Sequence, residues 1–503
     1  ILNFRNDYPD YKSYKLERNY RSTQNIVNAA NSIISNNVNR INKVVYSENE
    51  SGSKIKVQEA VSDTEEGIIV ANEIKQHLFL EQQQFSDYAI LYRLNSQSRI
   101  FEEQLRKLNL PYRVFGNTSF YERKEIKDII AYLRLTVNSS DNEAFKRIIN
   151  YPARGIGETT LNKLELYASQ QDKAIWEISS GIELNHLNFN KGTTSKISSF
   201  INLVQEFKAM LNEATAYEIA LAIARKTGIL EDLYKDKTPE NLSKFENIQE
   251  LLNAIQDFTI SAIEEDRPHK LENYLEEVSL LTSQDNKDDD NKNKITLMSV
   301  HSAKGLEFKN VFIVGMEENL FPSSMNGFMS RESLEEERRL FYVALTRAMK
   351  NVWITHARQR FKWGQFTLCE RSRFINEIDD KYLIQPVGSS PRTSSRENTR
   401  TGLFERNISS ISMTETPPVR SSSGSASSSL TNRFSSATAS NENYRQDSNE
   451  IIQPGDEVEH QRFGRGKVLE LEGEDSNKKA TVLFQNAGRK QLLLKFAKLK
   501  IIK

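Results

Sequence analysis

The chain has 503 residues, in which 68 Lys and Arg balance 68 Asp and Glu, so its formal net charge is zero. This balance excludes a uniformly basic, histone-like protein but leaves room for a local nucleic-acid-binding surface. The single cysteine, Cys369, excludes a disulfide framework and a zinc site made only of cysteines.

Residues 1–114 mix helical and strand patterns. Ser22 stands where it can cap a helix with an apolar stripe at helical spacing. Residues 54–61 and 88–94 have the composition of strands, and a helical pattern over 65–80 separates them. This β-α-β order is typical of a parallel sheet.

Residues 115–285 are helical in pattern nearly throughout, with amphipathic stretches at 161–167, 197–211 and 242–258. The charged run at 286–294 predicts an exposed loop. We therefore expect a helical domain inserted into an α/β domain.

Residues 286–385 return to the α/β pattern. Residues 295–300 and 310–316 are predicted strands, and residues 335–349 are a predicted helix. The continuous apolar run NVFIV, at 310–314, suits a central strand that is buried on both faces.

A sharp change in composition follows. Residues 386–450 contain 18 Ser in 65 residues and few large apolar groups, which predicts a disordered linker. Residues 451–503 consist of short β-type runs separated by Gly, Asp and Asn, and they predict a small all-β barrel of four or five strands. Its 11 Lys and Arg exceed its 7 Asp and Glu, which leaves a charge of +4.

Arg21 lies in the segment NYRST, at residues 19–23, beside a predicted helix start. An arginine beside a helix N-terminus can hold a phosphate. The alternative is a capped helix with a surface arginine.

Polar residues follow the strand at 295–300, namely Ser299, His301, Lys304, Gly305 and Glu307. The carboxyl ends of strands form the edge where open α/β sheets bind ligands. A hydrogen-bonded structural histidine is the alternative for His301.

Arg347 falls on the apolar face of the predicted helix at 335–349, together with Leu340, Val343 and Ala344. An arginine on such a face is costly unless it meets an anion. The partner is either a buried carboxylate or a nucleotide phosphate, in which case the residue is an arginine finger.

Three strings occur in a fixed order: RNYRS at 18–22, VHSAKGLEF at 300–308 and EERRLFYVALTRA at 336–348. They resemble motifs IV, V and VI of superfamily 1 DNA helicases of the UvrD/PcrA/Rep group. The resemblance implies an α/β fold, the second RecA-like motor domain of a P-loop NTPase, formed by residues 1–114 and 286–385. It also implies a helical insertion at 115–285 and a Tudor-like barrel at 451–503.

The resemblance further implies roles around ATP and Mg²⁺. Arg21 and Arg347 would both touch the γ-phosphate as catalytic residues, as suits an always-charged, fork-shaped donor. Tyr20 would stack on the adenine, and Glu307 would lie near the ribose and the metal. No residue of the chain is predicted to be a metal ligand.

Contacts with DNA are implied as well. Ser299 and His301 would lie on the single-stranded DNA track, and Arg123 and Lys124 belong to a segment, 113–128, that resembles another DNA contact. Gly155, Ile156 and Gly157 resemble a hairpin whose backbone N–H groups grip duplex phosphates. A plain turn between helices is the alternative for this hairpin.

The implied partners are single-stranded DNA, junctions of single- and double-stranded DNA, and RNA polymerase, which residues 451–503 would contact. The +4 charge of these residues leaves nucleic acid as another ligand. The implied activity is ATP-dependent 3′-to-5′ unwinding in DNA repair and replication, by a monomer in the cytoplasm. The sequence contains no apolar run of about 18 residues and no charged-then-apolar leader, which predicts no membrane contact.

One departure from the family pattern is large. No GxxxxGK[ST] string is present, and the only Gly-Lys pair, Gly466-Lys467, is followed by Val468. We therefore expect the C-terminal portion of a helicase, which lacks the phosphate-cradling Walker A and Walker B half and is inactive alone. A non-catalytic fragment that binds DNA or RNA polymerase is the alternative. A related helicase–nuclease would need an acidic metal-binding cluster followed by a lysine near the C-terminus, and residues 451–503 are not predicted to contain one.

Overall fold

Strands from the first 385 residues form one mainly parallel sheet. The computed structural model describes residues 8, 10, 12, 14–38, 40, 43–285, 292–323, 329–362, 365–385, 452–460, 463–472, 479–485, 488–494 and 499–502. In chain order the strands of this sheet are β1 Ile55–Ser62, β2 Tyr88–Tyr92, β3 Tyr112–Val114, β4 Ile295–Ser299, β5 Phe308–Ile313, β6 Ala348–Lys362, β7 Gln365–Leu368 and β8 Leu383–Ile384. Within the described ranges they are ordered β3-β4-β2-β5-β6-β1-β8, and β7 pairs antiparallel with β6.

Helices accompany the sheet and also form a separate block between β3 and β4. The helices of the sheet are α1 Gln24–Ile34, α2 Asp63–Glu81, α3 Ser98–Lys107, α13 Arg331–Leu345 and α14 Arg373–Asn376. Those of the block are α4 Lys124–Val137, α5 Asn142–Ile148, α6 Glu158–Gln170, α7 Ile175–Ser180, α8 Lys191–Ala209, α9 Ala216–Lys226, α10 Ile229–Lys235, α11 Pro239–Glu264 and α12 Leu271–Asp285. Short 3-10 turns lie at Phe85–Asp87, Asn95–Gln97, Phe120–Glu122, Ile182–Leu187 and Asp380–Tyr382.

Both faces of the sheet are covered, as the apolar run at 310–314 predicts. On one face Ile33 of α1 and Phe341 of α13 pack against the sheet. On the other face Ile74 of α2 packs in the same cluster as Phe312, which stacks on Trp353 with ring centroids 4.5 Å apart. A strand that is apolar on both sides needs both layers, because either exposed face would leave large side chains in water.

The ends of two predicted helices differ from expectation. Thr23, not Ser22, is the N-cap of α1, and the Ser22 hydroxyl instead donates to the Ala348 carbonyl at 2.7 Å. The helix predicted at 335–349 begins at Arg331, where Ser330 caps it, and ends at Leu345. Hydrogen bonds to the neighbouring strand therefore override the local capping preference at Ser22.

The helical block has a core of its own, which includes Phe145, Phe200, Phe207 and Ile255. The three amphipathic stretches predicted from the sequence lie in α6, α8 and α11. Most of the predicted exposed loop at 286–294 and all of the predicted linker at 386–450 lie outside the described residues.

The C-terminal residues form a second, antiparallel sheet, here called the C-terminal sheet. Its strands are β9 Glu457–His460, β10 Gly464–Glu472, β11 Lys479–Phe484, β12 Gly488–Leu493 and β13 Leu499–Ile501. They are ordered β12-β11-β10-β9-β13 and enclose a small core that contains Val458, Val468, Val482 and Phe484. The all-β prediction is confirmed, with five strands among the described residues.

A buried ion cluster ties β6 to α2 and to the segment after β5. The Arg360 guanidinium donates two hydrogen bonds to Glu317, at 2.6 and 2.7 Å, and one to Glu66 at 2.5 Å. All three residues are buried. Glu66 also accepts from the backbone N–H of Gly315 and from the hydroxyl of Thr355, so the carboxylate is well satisfied.

Asp63, at the start of α2, is expected to make stability depend on pH. Burial and the neighbouring Asp257 raise the pKa of Asp63 to about 7. An unfolded aspartate has a pKa of about 4. Between these values the folded state binds the extra proton, so the free energy of unfolding falls as pH rises from about 4 to about 7.

Asp63→Asn, which mimics the protonated acid, should therefore raise the thermal midpoint at pH 8 and leave it almost unchanged at pH 4. Thermal melts of wild type and variant across this range provide the measurement, and Asp379→Asn, at an exposed carboxylate, is the control. An equal gain at both pH values would show that Asp63 is ionised throughout.

Candidate functional site

Arg21 and Arg347 meet at one corner of the parallel sheet. The Arg21 Nε donates to Glu307 Oε2 at 2.6 Å, and its Nη1 donates to the Thr346 carbonyl at 3.1 Å. The Arg347 guanidinium reaches the hydroxyl of the same threonine at 3.5 Å. Thr346 thus brings together the two arginines that the sequence placed 326 positions apart.

Arg347 lies just beyond α13, in the turn before β6. Its Nε donates to the Val343 carbonyl at 3.2 Å and its Nη1 to the Leu306 carbonyl at 3.0 Å. In the described part of the chain it forms no ion pair with a carboxylate. The prediction that it belongs to the helix's apolar face was wrong, because the helix ends at Leu345.

The electrostatics of this corner favour an anion. Burial and the charge of Arg21 both lower the pKa of Arg347, whereas Glu307 opposes the shift. Glu307 is half exposed and pairs with Arg21 alone, so the nearby Arg347 guanidinium has no carboxylate partner among the described residues. A phosphate bound here would relieve the repulsion and use hydrogen-bond donors that Arg347 has to spare.

The corner lies at the amino-terminal edge of the sheet. Glu307 directly precedes β5, Arg347 directly precedes β6, and these two strands are parallel neighbours. We predicted Glu307 at the carboxyl edge together with Ser299 and His301, and this was wrong because the intervening loop crosses the sheet. Tyr20 lies beside the corner, exposed, with the Arg18 guanidinium 4.6 Å from its ring centroid.

Ser299 and His301 lie at the opposite, carboxyl edge. The backbone N–H of Val300 donates to the Tyr92 carbonyl at the end of β2, and the Ser299 hydroxyl is 3.0 Å from that of Ser302. His301 is exposed. Desolvation at its partly covered ring and the nearby Arg93 charge lower the pKa of His301, so its imidazole is uncharged at neutral pH.

Residues 300–307 join the two edges and are here called the crossing loop. The loop starts beside Ser299 at the carboxyl edge. It ends at Glu307, at the corner where Arg21 and Arg347 meet, which is here called the arginine corner. Val300 and Ala303 are fully buried and Leu306 packs against the same core, which fixes its path. Gly305 has φ +89°, a left-handed conformation that a residue with a Cβ rarely adopts.

Gly155, Ile156 and Gly157 form the turn before α6 in the helical block. The Asn150 side chain accepts hydrogen bonds from the backbone N–H groups of Arg154 and Ile156, at 2.9 and 3.1 Å. The Ile156 side chain is buried and its backbone N–H is already bonded to Asn150, so Ile156 offers no N–H group to a phosphate. Gly157 is the N-cap of α6, and a Cβ on it would meet nothing within 4 Å.

Arg123 does not fit the predicted DNA contact. Its guanidinium is buried and donates to the Asn247 and Ser98 side chains at 2.8 and 2.7 Å. It therefore joins the helical block to α3, and its burial keeps it from a phosphate. Lys124, at the start of α4, is exposed and fits a DNA contact.

The sequence reasoning missed one pair beside His301. Arg93 binds Glu337 through Nε and Nη2, with distances between 2.8 and 3.1 Å, and both charges influence the histidine. Glu337 lies within the string EERRLFYVALTRA, but nothing in the sequence connects it to a residue 244 positions earlier. Only the folded structure brings these two residues together, so no sequence pattern could have predicted the pair.

The described residues show neither a metal-ligand cluster nor a helix suited to a membrane. No three side chains among His, Cys, Asp and Glu come together there as metal ligands. None of the described helices has both the length and the apolar character that crossing a membrane requires.

Comparison with known proteins gives two family matches. Residues 14–359 match the UvrD-like helicase C-terminal domain, and residues 455–500 match the PcrA/UvrD tudor domain. The parallel sheet with helices on both faces and the antiparallel C-terminal sheet agree with these matches, so the predicted α/β fold class is confirmed.

Two curated relatives are the ATP-dependent DNA helicases PcrA of Staphylococcus epidermidis and Staphylococcus aureus. Each is 35% identical to this chain over 502 residues, which is 99% of this chain and 63% of the relative. The chain thus spans less than two thirds of the length of these proteins.

Proposed function

Since the chain belongs to the UvrD-like helicase family, we propose that it is the C-terminal portion of an ATP-dependent DNA helicase that moves 3′ to 5′ on single-stranded DNA. The arginine corner carries this proposal, because it holds two guanidinium groups against one exposed carboxylate at an accessible edge of the sheet. The Walker A and Walker B residues would come from polypeptide outside this chain, which contains no GxxxxGK[ST] string.

The corner fits the triphosphate of ATP. Arg347 would act as the arginine finger on the γ-phosphate, and Arg21 would bind the same group from the start of α1. Tyr20, which is exposed beside them, would stack on the adenine, and Glu307 would hold Arg21 in place near the ribose. ATP would supply the free energy of hydrolysis, and these side chains would report its γ-phosphate to the sheet.

We expect Mg²⁺, like the phosphates, to be held mainly by the Walker A and Walker B residues that the first motor domain would supply.

The crossing loop would link the nucleotide to DNA. Ser299 and His301 would contact single-stranded DNA at the carboxyl edge, and Glu307 would move with Arg21 at the other. An uncharged histidine and a hydroxyl suit contacts that must form and break at every step, because neither forms a strong ion pair with phosphate. The turn at 155–157 and Lys124 would bind the duplex ahead of the single strand, and the tudor domain would contact RNA polymerase.

A fusion of this chain to the first motor domain of a PcrA relative tests the proposal. The fusion should hydrolyse ATP only when single-stranded DNA is present and should unwind a duplex with a 3′ tail but not one with a 5′ tail. The 503-residue chain alone should show no turnover. DNA-stimulated hydrolysis by the chain alone, or a folded fusion without it, would contradict the proposal.

Gly155 offers a separate test of duplex binding. Its φ of +68° disfavours any residue with a Cβ, and an added Cβ would come within 2.6 Å of the Lys196 ammonium group. In the fusion, Gly155→Ala should weaken binding of a blunt duplex several-fold and leave the ATPase stimulated by single-stranded DNA unchanged. Fluorescence anisotropy measures the first quantity and a coupled assay the second.

Gly228→Ala is the matched control. Gly228 also lies in the helical block and has φ +81°, but a Cβ there would meet nothing within 4 Å. Equal losses of duplex binding in both variants would mean that general strain in the block, and not the turn at 155–157, causes the effect.

A further inference from the structure

The C-terminal sheet is seated on the end of α11, at the border between the helical block and the parallel sheet. His460 Nε2 lies 3.2 Å from Glu264 Oε1, and both side chains are at least nine-tenths buried. The backbone N–H of Phe463 donates to His460 Nδ1. That bond fixes the tautomer, so Nε2 carries the proton and donates it to the Glu264 carboxylate.

Aromatic and charged side chains surround this hydrogen bond. The Phe463 ring stacks on the His460 imidazole with centroids 4.8 Å apart, and the Lys490 ammonium group lies 5.8 Å from the Phe463 ring centroid. Lys490 also lies 3.8 Å from Glu265. His460, Phe463 and Lys490, here called the receptor face, therefore hold two consecutive carboxylates at a helix end.

The C-terminal sheet also contacts β6 and α2. Arg358 of β6 donates to Glu459 at 3.3 Å, and the Gly464 backbone approaches Glu65 so closely that a Cβ at this position would clash with the carboxylate. Acidic side chains of α2 and α11 thus meet a C-terminal sheet whose sequence carries a charge of +4. Oppositely charged pairs cross this contact in both senses, since Glu265 faces Lys490 of the C-terminal sheet while Arg358 of β6 faces Glu459.

The contact between Glu264 and the receptor face has the properties of a reversible contact. Glu264 Oε2 is buried and has no hydrogen-bond partner among the described residues, so within them the carboxylate is only half satisfied. A cleft of about 580 Å³ borders the neighbouring Glu265, and Phe463, Lys490, Arg99 and Asp257 are among its lining residues. An unsatisfied buried oxygen reduces stability. The covalent connection through residues 386–451 raises the effective concentration of the C-terminal sheet enough for a weak contact to form.

We propose that the receptor face is a binding site for a pair of adjacent carboxylates on another protein, and that Glu264 and Glu265 of this chain occupy it as an intramolecular competitor. When no acidic partner is present, the C-terminal sheet then remains bound to α11 and β6, which is here called the seated state. A partner segment with two consecutive acidic residues replaces Glu264 and Glu265 on the receptor face. This frees the C-terminal sheet from both the helical block and β6. The inference does not depend on the proposed motor activity.

Hydrogen–deuterium exchange on the full chain tests the seated state. Glu264→Lys places a cation against His460 and Lys490, while a lysine near the C-terminus of α11 favours the helix. In this variant the backbone amides of residues 258–266, 457–460 and 463–466 should exchange at least about tenfold faster than in wild type. Glu276→Lys makes the same change of charge on the exposed face of α12 and should leave these rates unchanged.

Swapping the charges of Glu265 and Lys490 distinguishes release of the C-terminal sheet from unfolding of the chain. Glu265→Lys alone should also raise the exchange rates, and Glu265→Lys with Lys490→Glu should restore the protection of wild type. Wild-type rates in Glu264→Lys, or no recovery in the double variant, would overturn the seated state.

A labelled peptide with the sequence of residues 252–267 tests the receptor face itself. Fluorescence anisotropy should show that the Glu264→Lys chain binds this peptide at least about tenfold more tightly than wild type does, because its face is free. Adding His460→Ala should remove the binding. Equal affinity for wild type and Glu264→Lys, or displacement by a DNA oligonucleotide but not by unlabelled peptide, would overturn the proposal.

Discussion

Replacing Arg347 with alanine, in the fusion to a first motor domain, should lower ATP turnover by about 10³-fold or more and leave ATP binding within a few-fold of the parent. Arg347 has no carboxylate partner among the described residues, and its ordinary contacts are with carbonyl and hydroxyl oxygens. Its loss therefore leaves no buried charge behind, so the fold should persist while charge stabilisation at the γ-phosphate is lost. Steady-state kinetics and binding of a fluorescent ATP analogue measure the two quantities.

Two further variants sharpen this test. Arg347→Lys should recover only a small part of the turnover, because an ammonium group is a point charge without the planar fork. Arg339→Ala removes a partly exposed arginine from α13, the helix that precedes Arg347, and should keep full turnover. Turnover of Arg347→Ala within tenfold of the parent would refute the arginine-finger role.

Replacing Arg360 with methionine should lower the free energy of unfolding by about 3–5 kcal/mol. The substitution leaves Glu66 and Glu317 buried without their shared cation. Although burial alone would raise it, Arg360 holds the pKa of Glu317 below its ordinary value, which shows how strongly the guanidinium stabilises the charged form. Urea unfolding of the 503-residue chain measures the change.

Arg373→Ala is the matched control, because Arg373 binds the neighbouring Glu318 with equally short distances at an exposed position. An exposed pair of this kind contributes about 0–1 kcal/mol. Converting Glu66 and Glu317 to glutamine in the Arg360→Met chain should recover part of the loss. If Arg360→Met costs no more than Arg373→Ala, the cluster is not a determinant of stability.

Much of the fold could be predicted because its signals are local. The run NVFIV, which forms most of β5, is apolar at every position after Asn310. Both faces of this strand are therefore apolar, so only a strand between two helical layers can accommodate it. The helices of the block likewise show their apolar stripes within the sequence of each helix. The five-stranded C-terminal sheet was predictable from its spaced turn residues for the same reason.

The site was less predictable because its determinants are distant in sequence. The end of α13 at Leu345 has no Gly or Pro to mark it and is followed at once by β6, so Arg347 was assigned to the helix. Arg123 has the composition of a phosphate ligand, but Asn247 and Ser98 bury it from positions 124 and 25 residues away. The direction of the crossing loop, from one edge of the sheet to the other, follows only from the strand order.

Strand β6 spans Ala348–Lys362, and 15 residues at about 3.3 Å each reach roughly 50 Å. It is paired along its length with β5 and β1, which stiffens it. Arg347 precedes its first residue, and Arg358, which touches the C-terminal sheet, lies near its last. If ATP binds at the corner as proposed, a shift of β6 there would also move Arg358 and its contact with the C-terminal sheet, because the paired strand moves as one stiff element.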